Sequence, residues 1–148
     1  MFRLLSSVFV AALLATGAQA ETHLVRMYSA HPTDPARANV FDPPFLKIAP
    51  GDSVTFVPAD PSHNTASKKG MIPEGAEEWN SAVDDEFTVT LTVEGVYGYI
   101  CSPHYEMGMV GVIVVGDASA NLGAAKKARH LGSAKKAFRE LLDGLENE

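Results

Sequence analysis

The chain has 148 residues, of which 46% are hydrophobic and 20% charged, and its 18 acidic residues outnumber the 12 basic ones for a formal net charge of -6. That balance excludes a nucleic-acid phosphate backbone as partner, and the length suits one domain with its own core. A single cysteine, Cys101, excludes a disulfide within the chain and leaves its thiol as a small hydrophobe, a reactive group or a metal ligand.

Residues 1–20, MFRLLSSVFVAALLATGAQA, begin with one basic residue, run through a short apolar stretch and close on Ala18-Gln19-Ala20. This is the pattern of a cleaved export signal, too short and too early for a spanning helix. Its removal takes Arg3 and leaves a net charge of -7, from 11 basic and 18 acidic residues. The expected product is soluble, exported and without a membrane span.

From Thr22 to Val115 short strands alternate with proline and glycine punctuation. In FLKIAPGDSVTFV, Pro50, Gly51 and Asp52 separate two β-rich runs, which predicts a tight connection. MIPEGAEEWNSAVDD, Met71 to Asp85, lacks sustained periodicity and reads as a surface excursion containing a helical turn. FTVTLTV, Phe87 to Val93, alternates apolar residues with threonines, so one strand face is dry and the other polar. VYGYIC, Val96 to Cys101, and VGVIVV, Val110 to Val115, predict two strands that enclose a loop. After Gly116 the composition turns to alanine, leucine and lysine. NLGAAKKARHL and SAKKAFRELLDGL predict two helices divided by Gly132, with Ser133 as N-cap and Ala137, Phe138, Leu141, Leu142 and Leu145 on one face.

The enclosed loop, CSPHYEMGM, gathers the only cysteine, a histidine three residues on and a methionine at plus eight. Cys101 and His104 can face one metal from so tight a loop, and a third strong ligand must come from elsewhere. His130 falls in the helical tail and His23 at the start of the strand region. His31 lies in a loop and stays open on position alone. His63 follows the run SVTFV at the end of a strand, where a rigid scaffold can present it, and is the best candidate. Two imidazoles, a thiolate and a weak axial thioether are the donor set of a blue-copper centre. Structural zinc prefers four strong ligands, for which a thioether is a poor fourth.

With these residues in view the chain resembles the cupredoxins, and within them the pseudoazurin family. The matching pieces are His63-Asn64, MIPEGAE at Met71 to Glu77, CSPHYEMGMVG at Cys101 to Gly111 and VGDASANL leading into the two helices. The resemblance implies a mainly β fold, a Greek-key β-sandwich over residues 21–116, with a two-helix extension at 117–148 packed on it. It implies one type 1 copper ion held by His63, Cys101, His104 and Met109. The resemblance also implies the choice among candidates: the spacing from His63 to Cys101 agrees with that of the family, against His31, and the family's axial methionine lies five residues after the second histidine, which is Met109 and not Met107. Asn64 would donate its backbone N–H toward the cysteine sulfur.

The implied function is a monomeric periplasmic one-electron carrier, not an enzyme, docking transiently with c-type cytochromes and with a reductase such as copper nitrite reductase. Its docking surface would comprise Pro103, Glu106, Met107, Lys47, Lys68 and Lys69, with Pro44 nearby. Two departures stand out: Ile100 where many relatives carry lysine, and Glu106 where a small residue is usual. A competing reading, a periplasmic copper carrier or scavenger, calls for methionine-rich or C-x-x-C elements that the sequence lacks. A thiol enzyme built on Cys101 and His104 would need an oriented base and an oxyanion site, and no such motif is present.

Overall fold

The computed structural model describes residues 19–147. Most of the leader, residues 1–18, lies outside them. Eight strands form two four-stranded sheets. The first has the order β2-β1-β4-β6 and the second β3-β8-β7-β5, where β1 is Thr22–His31, β2 Asp34–Asp42, β3 Phe45–Ile48, β4 Ser53–Pro58, β5 Ala66–Ser67, β6 Phe87–Thr90, β7 Gly95–Ile100 and β8 Val110–Val115. Among the described residues no helix is long and apolar enough to cross a membrane.

The sheets face each other across a core to which both contribute. Val25, Met27, Phe41, Val54 and Phe56 come from the first, and Tyr97, Tyr99, Ile113 and Val115 from the second. Phe41 and Phe56 meet the Tyr99 ring edge-on, at centroid distances of 4.7 and 5.1 Å, a geometry in which aromatic pairs add to the gain from burial. The outer face of the second sheet is covered as well. Helix α2, Ala134–Asp143, lays Ala134, Phe138 and Leu142 against Val110, Val112 and Val114. Burial on both faces explains why VGVIVV is apolar throughout, whereas Phe87 to Leu91 alternates.

Three sequence expectations change in detail. Pro50-Gly51-Asp52 does make a tight connection, with Gly51 at φ +97°, but β3 and β4 lie in different sheets, so the turn carries the chain across the sandwich. Residues 71–85 contain no helix and are not merely a surface excursion. Met71 and Trp79 are buried, and the Trp79 indole N–H donates to Thr65 Oγ1 at 3.1 Å. The first of the two helices, α1, covers only Leu122–Lys127. The residues after it leave the helical path and lie against the loop that follows β7. The Tyr105 hydroxyl is 3.2 Å from His130 Nδ1, and the Ser133 N–H donates to the Glu106 carbonyl at 2.8 Å. Ser133 occupies the predicted cap position of α2 without a side-chain capping bond. Asn121 ties the start of the extension to β7, accepting the Val96 N–H at 2.7 Å and donating to the Val96 carbonyl at 2.8 Å.

Candidate metal centre

Three of the predicted donors converge at one end of the sandwich. The ligand-capable atoms of His63, Cys101 and His104 lie within 4.8 Å of one another. The Cys101 sulfur is 3.7 Å from His63 Nδ1 and 3.5 Å from His104 Nδ1. An imidazole nitrogen about 2.0 Å and a thiolate sulfur about 2.3 Å from one ion, about 110–120° apart, lie about 3.5–3.7 Å from each other. Both sulfur–nitrogen distances therefore match those of a thiolate and an imidazole sharing a metal.

Each donor is placed by a different device. Cys101 directly follows β7, and its N–H donates to the Met109 carbonyl at 3.0 Å, closing the loop at the foot of β8. His104 stands at the head of a short 3₁₀ turn, Tyr105–Met107, which Gly108 ends in the left-handed region at φ +98°. The Met109 N–H returns to the His104 carbonyl at 3.2 Å, so the fourth predicted donor belongs to the same stitched loop and is fully buried. Met107, by contrast, is 64% exposed, its sulfur 3.6 Å from the Asn39 amide nitrogen. The two methionines are thus separated by burial as well as by spacing.

His63 is fixed from both sides. Its Nε2 is 3.0 Å from Ser29 Oγ on β1, which leaves Nδ1 directed at the sulfur and favours the tautomer a metal needs. Asp84 accepts the N–H groups of Ser62 and His63 at 2.5 and 3.2 Å and returns its own N–H to the His63 carbonyl at 2.7 Å. Ser62 and Asp84 both adopt positive φ, and this reciprocal bonding is what holds the strained turn. Neither Ser29 nor Asp84 is marked by the sequence, because each acts on His63 from more than twenty positions away with no motif to flag it.

Asn64 lies between the two ligand segments. Burial pushes the Cys101 thiol up, and backbone hydrogen bonding from Asn64 and then His104 only partly opposes it. The Asn64 side chain also accepts the Ser102 N–H at 2.7 Å and donates to the Ser81 carbonyl at 3.2 Å. It therefore pins the His63 segment to the Cys101 loop. Burial first, and then the charge of His104, depress His63, against the opposing pull of Asp60 and Asp84. An imidazole kept neutral with a free Nδ1 is the form that binds a metal.

The remaining predicted surface residues divide. Pro103, Glu106 and Met107 are exposed around His104. The Lys68 ammonium lies 5.3 Å above the Tyr105 ring, beside the same loop, and Lys69 follows it in the exposed chain. Lys47 does not join them. It pairs with Val114, five residues along β8 from Met109 and so roughly 16 Å away, and borders a groove with Glu21, His23 and Asp52 at the opposite end. Pro44 lines a groove with Ala137 and Leu141 of α2.

The family of copper binding proteins of the plastocyanin/azurin type matches residues 33–116. The pseudoazurin of Paracoccus pantotrophus is 44% identical over 131 residues, covering 87% of this chain and 88% of that protein. The chain belongs to the pseudoazurin family. Two solved pseudoazurins agree with the fold. That of Methylobacterium extorquens AM1 is 42% identical with a TM-score of 0.72, covering 84% of this chain and 95% of its own. The native protein of Hyphomicrobium denitrificans is 35% identical with a TM-score of 0.77, covering 83% and 97%. The cofactor is accordingly one type 1 copper ion, and the His-Cys-His-Met donor set fits it.

Proposed function

We propose that His63, Cys101, His104 and Met109 hold the copper and that the protein is a periplasmic one-electron carrier. Bound there, copper supplies a Cu(I)/Cu(II) couple. The chain's residues supply the rest. Ser29 and Asp84 orient His63, Asn64 couples the two ligand segments, and the sandwich excludes water from Cys101, His63 and Met109, all fully buried. A donor set held this rigidly needs little rearrangement when the electron moves.

The observation that carries the reading is the asymmetry of exposure. Of the three clustered donors only His104 reaches the surface, so its imidazole edge is the short route for an electron to a partner. The partners in this reading are a c-type cytochrome and a reductase such as copper nitrite reductase.

Adding Cu(II) to the metal-free protein should produce an intense thiolate-to-copper charge-transfer band that a one-electron reductant bleaches reversibly. Cys101→Ser should abolish it. A colourless Cu(II) complex of the native protein would overturn the assignment.

A further inference from the structure

The end of the sandwich opposite the copper centre holds a second meeting of donor atoms. Removal of the leader after Ala20 makes Glu21 the first residue and turns its backbone nitrogen into an α-amino group. That nitrogen lies 2.8 Å from Asp52 Oδ1, and His23 Nε2 lies 2.9 Å from Asp52 Oδ2. One carboxylate thus faces an amine nitrogen with one oxygen and an imidazole nitrogen with the other. Asp52 is only 5% exposed, whereas Glu21 is exposed and all three residues border the groove already described, so an ion from solvent can reach them.

Each contact is a hydrogen bond in the metal-free chain, and a metal ion can replace the proton held between the two atoms. Two donors about 2.0 Å from one ion and at right angles to each other lie about 2.8 Å apart. Both nitrogen–oxygen separations match that spacing with the chain as it stands. Nitrogen and oxygen donors at right angles form the tetragonal set of Cu(II) and Ni(II), of which Cu(II) is held more tightly. The charged residues bordering the groove are Glu21, Asp52 and Lys47, a balance that favours a cation once the amine has lost its proton. A histidine third from a free amine, as in Glu21-Thr22-His23, has a second way to chelate such an ion, through the two intervening peptide nitrogens once they are deprotonated. Here that mode is opposed by the sheet. The Ser53 N–H donates to the Glu21 carbonyl at 2.8 Å, and Thr22 and His23 pair in parallel with Ser53 and Val54. Wrapping residues 21–23 around an ion would unpair the start of β1, while coordination through Asp52 leaves it in place.

We propose that the mature chain binds a second metal ion, of the Cu(II) or Ni(II) class, through the Glu21 α-amino nitrogen, His23 Nε2 and the Asp52 carboxylate. The proposal rests on the export reading, which supplies the free amine. Binding expels the amine proton and leaves the ion's oxidation state unchanged, so affinity rises with pH through about 7.7–8.0, the ordinary α-amino range.

The test uses the protein purified after export with its type 1 site already filled, and inorganic Cu(II) as the probe. Intact mass fixes the first residue, and a chain that does not begin at Glu21 overturns the proposal together with the leader boundary. One further equivalent of Cu(II) should add a tetragonal copper signal in electron paramagnetic resonance, one ion per chain, with the blue band unchanged. His23→Gln should weaken this binding at least about ten-fold, since even groups one shell beyond a metal's ligands have effects of that size. An extra alanine placed before Glu21, which moves the amine away from Asp52, should do the same. So should Asp52→Asn, and in every variant the blue band reports that the sandwich is folded. A second signal that survives Asp52→Asn but not the extra alanine would assign the peptide nitrogens and overturn the Asp52 arrangement. No second signal, or one that all three variants keep, an adventitious ion only, would overturn the site altogether. Failure of the electron-carrier reading looks different: it removes the blue band itself, before the second equivalent is added.

Discussion

Met107 and Met109 are chemically identical and two residues apart, yet the fold gives them opposite surroundings. Met109 is buried within the stitched ligand loop, while Met107 is largely exposed beside Asn39. A weak axial ligand tunes a copper centre more than it holds the metal. Met109→Gln should therefore keep copper bound while shifting both the visible spectrum and the reduction potential, whereas Met107→Ala should leave the spectrum essentially unchanged. Spectra and voltammetry of the two variants decide this, and exchanged outcomes would move the axial ligand. Around these side chains, Ser29 and Asp84 show how much of the centre lies beyond the donors. Both fix His63, and neither sits in a recognisable motif.

At the scale of elements, the start of β1 is tied down by Asp52, in the turn that carries the chain between sheets. Its carboxylate accepts the Glu21 N–H at 2.8 Å and the Ala49 N–H at 3.0 Å, and lies 2.9 Å from His23 Nε2. The bond from Glu21, then that from His23, hold its pKa below the usual carboxylate value. A group depressed in the folded state stabilises it above the unfolded pKa of about 3.9 and loses that contribution as pH falls through the folded value. Asp52→Asn should thus be less stable than the native protein at neutral pH, with the difference narrowing below about pH 4. Urea unfolding across a pH series measures it, and a gap that stays constant into acid would show that the Asp52 charge is not what matters.

For the molecule as a whole, the two C-terminal helices act as the second cover of the β8 sheet and as a brace for the ligand loop. Phe138 is buried against that sheet and stacks on His130 at a centroid distance of 4.4 Å, and His130 in turn meets Tyr105. Phe138→Ala should cost about 3–5 kcal/mol, as large aromatic truncations in a packed core do. Thermal unfolding followed at once by far-ultraviolet dichroism and by the blue band should show both transitions shifting down together. An unchanged blue-band midpoint would mean that the extension does not support the centre.

The residues of the chain settled the donor chemistry alone. One cysteine, a histidine at plus three and a methionine at plus eight between two apolar runs is a local pattern, set by spacing along one loop, and the place of His63 after a strand made it the best third donor, while the resemblance to pseudoazurins supplied the fold and decided His63 over His31. The strands themselves were legible because period-two alternation and short apolar runs are local consequences of strand geometry, whereas their arrangement in two sheets came from the resemblance. What stayed hidden depends on approach between segments far apart in sequence. Trp79 is buried because its indole reaches Thr65, α1 ends early because residues 128–133 must reach the ligand loop, and Lys47 leaves the docking surface because β3 pairs in parallel with the far end of β8. Only the tertiary structure brings Asp52 to Glu21 and His23, 31 and 29 positions earlier in the sequence, so that one carboxylate faces both nitrogens. Spacing within a loop constrains which atoms can meet, but which loops meet is decided by how the sheets pack.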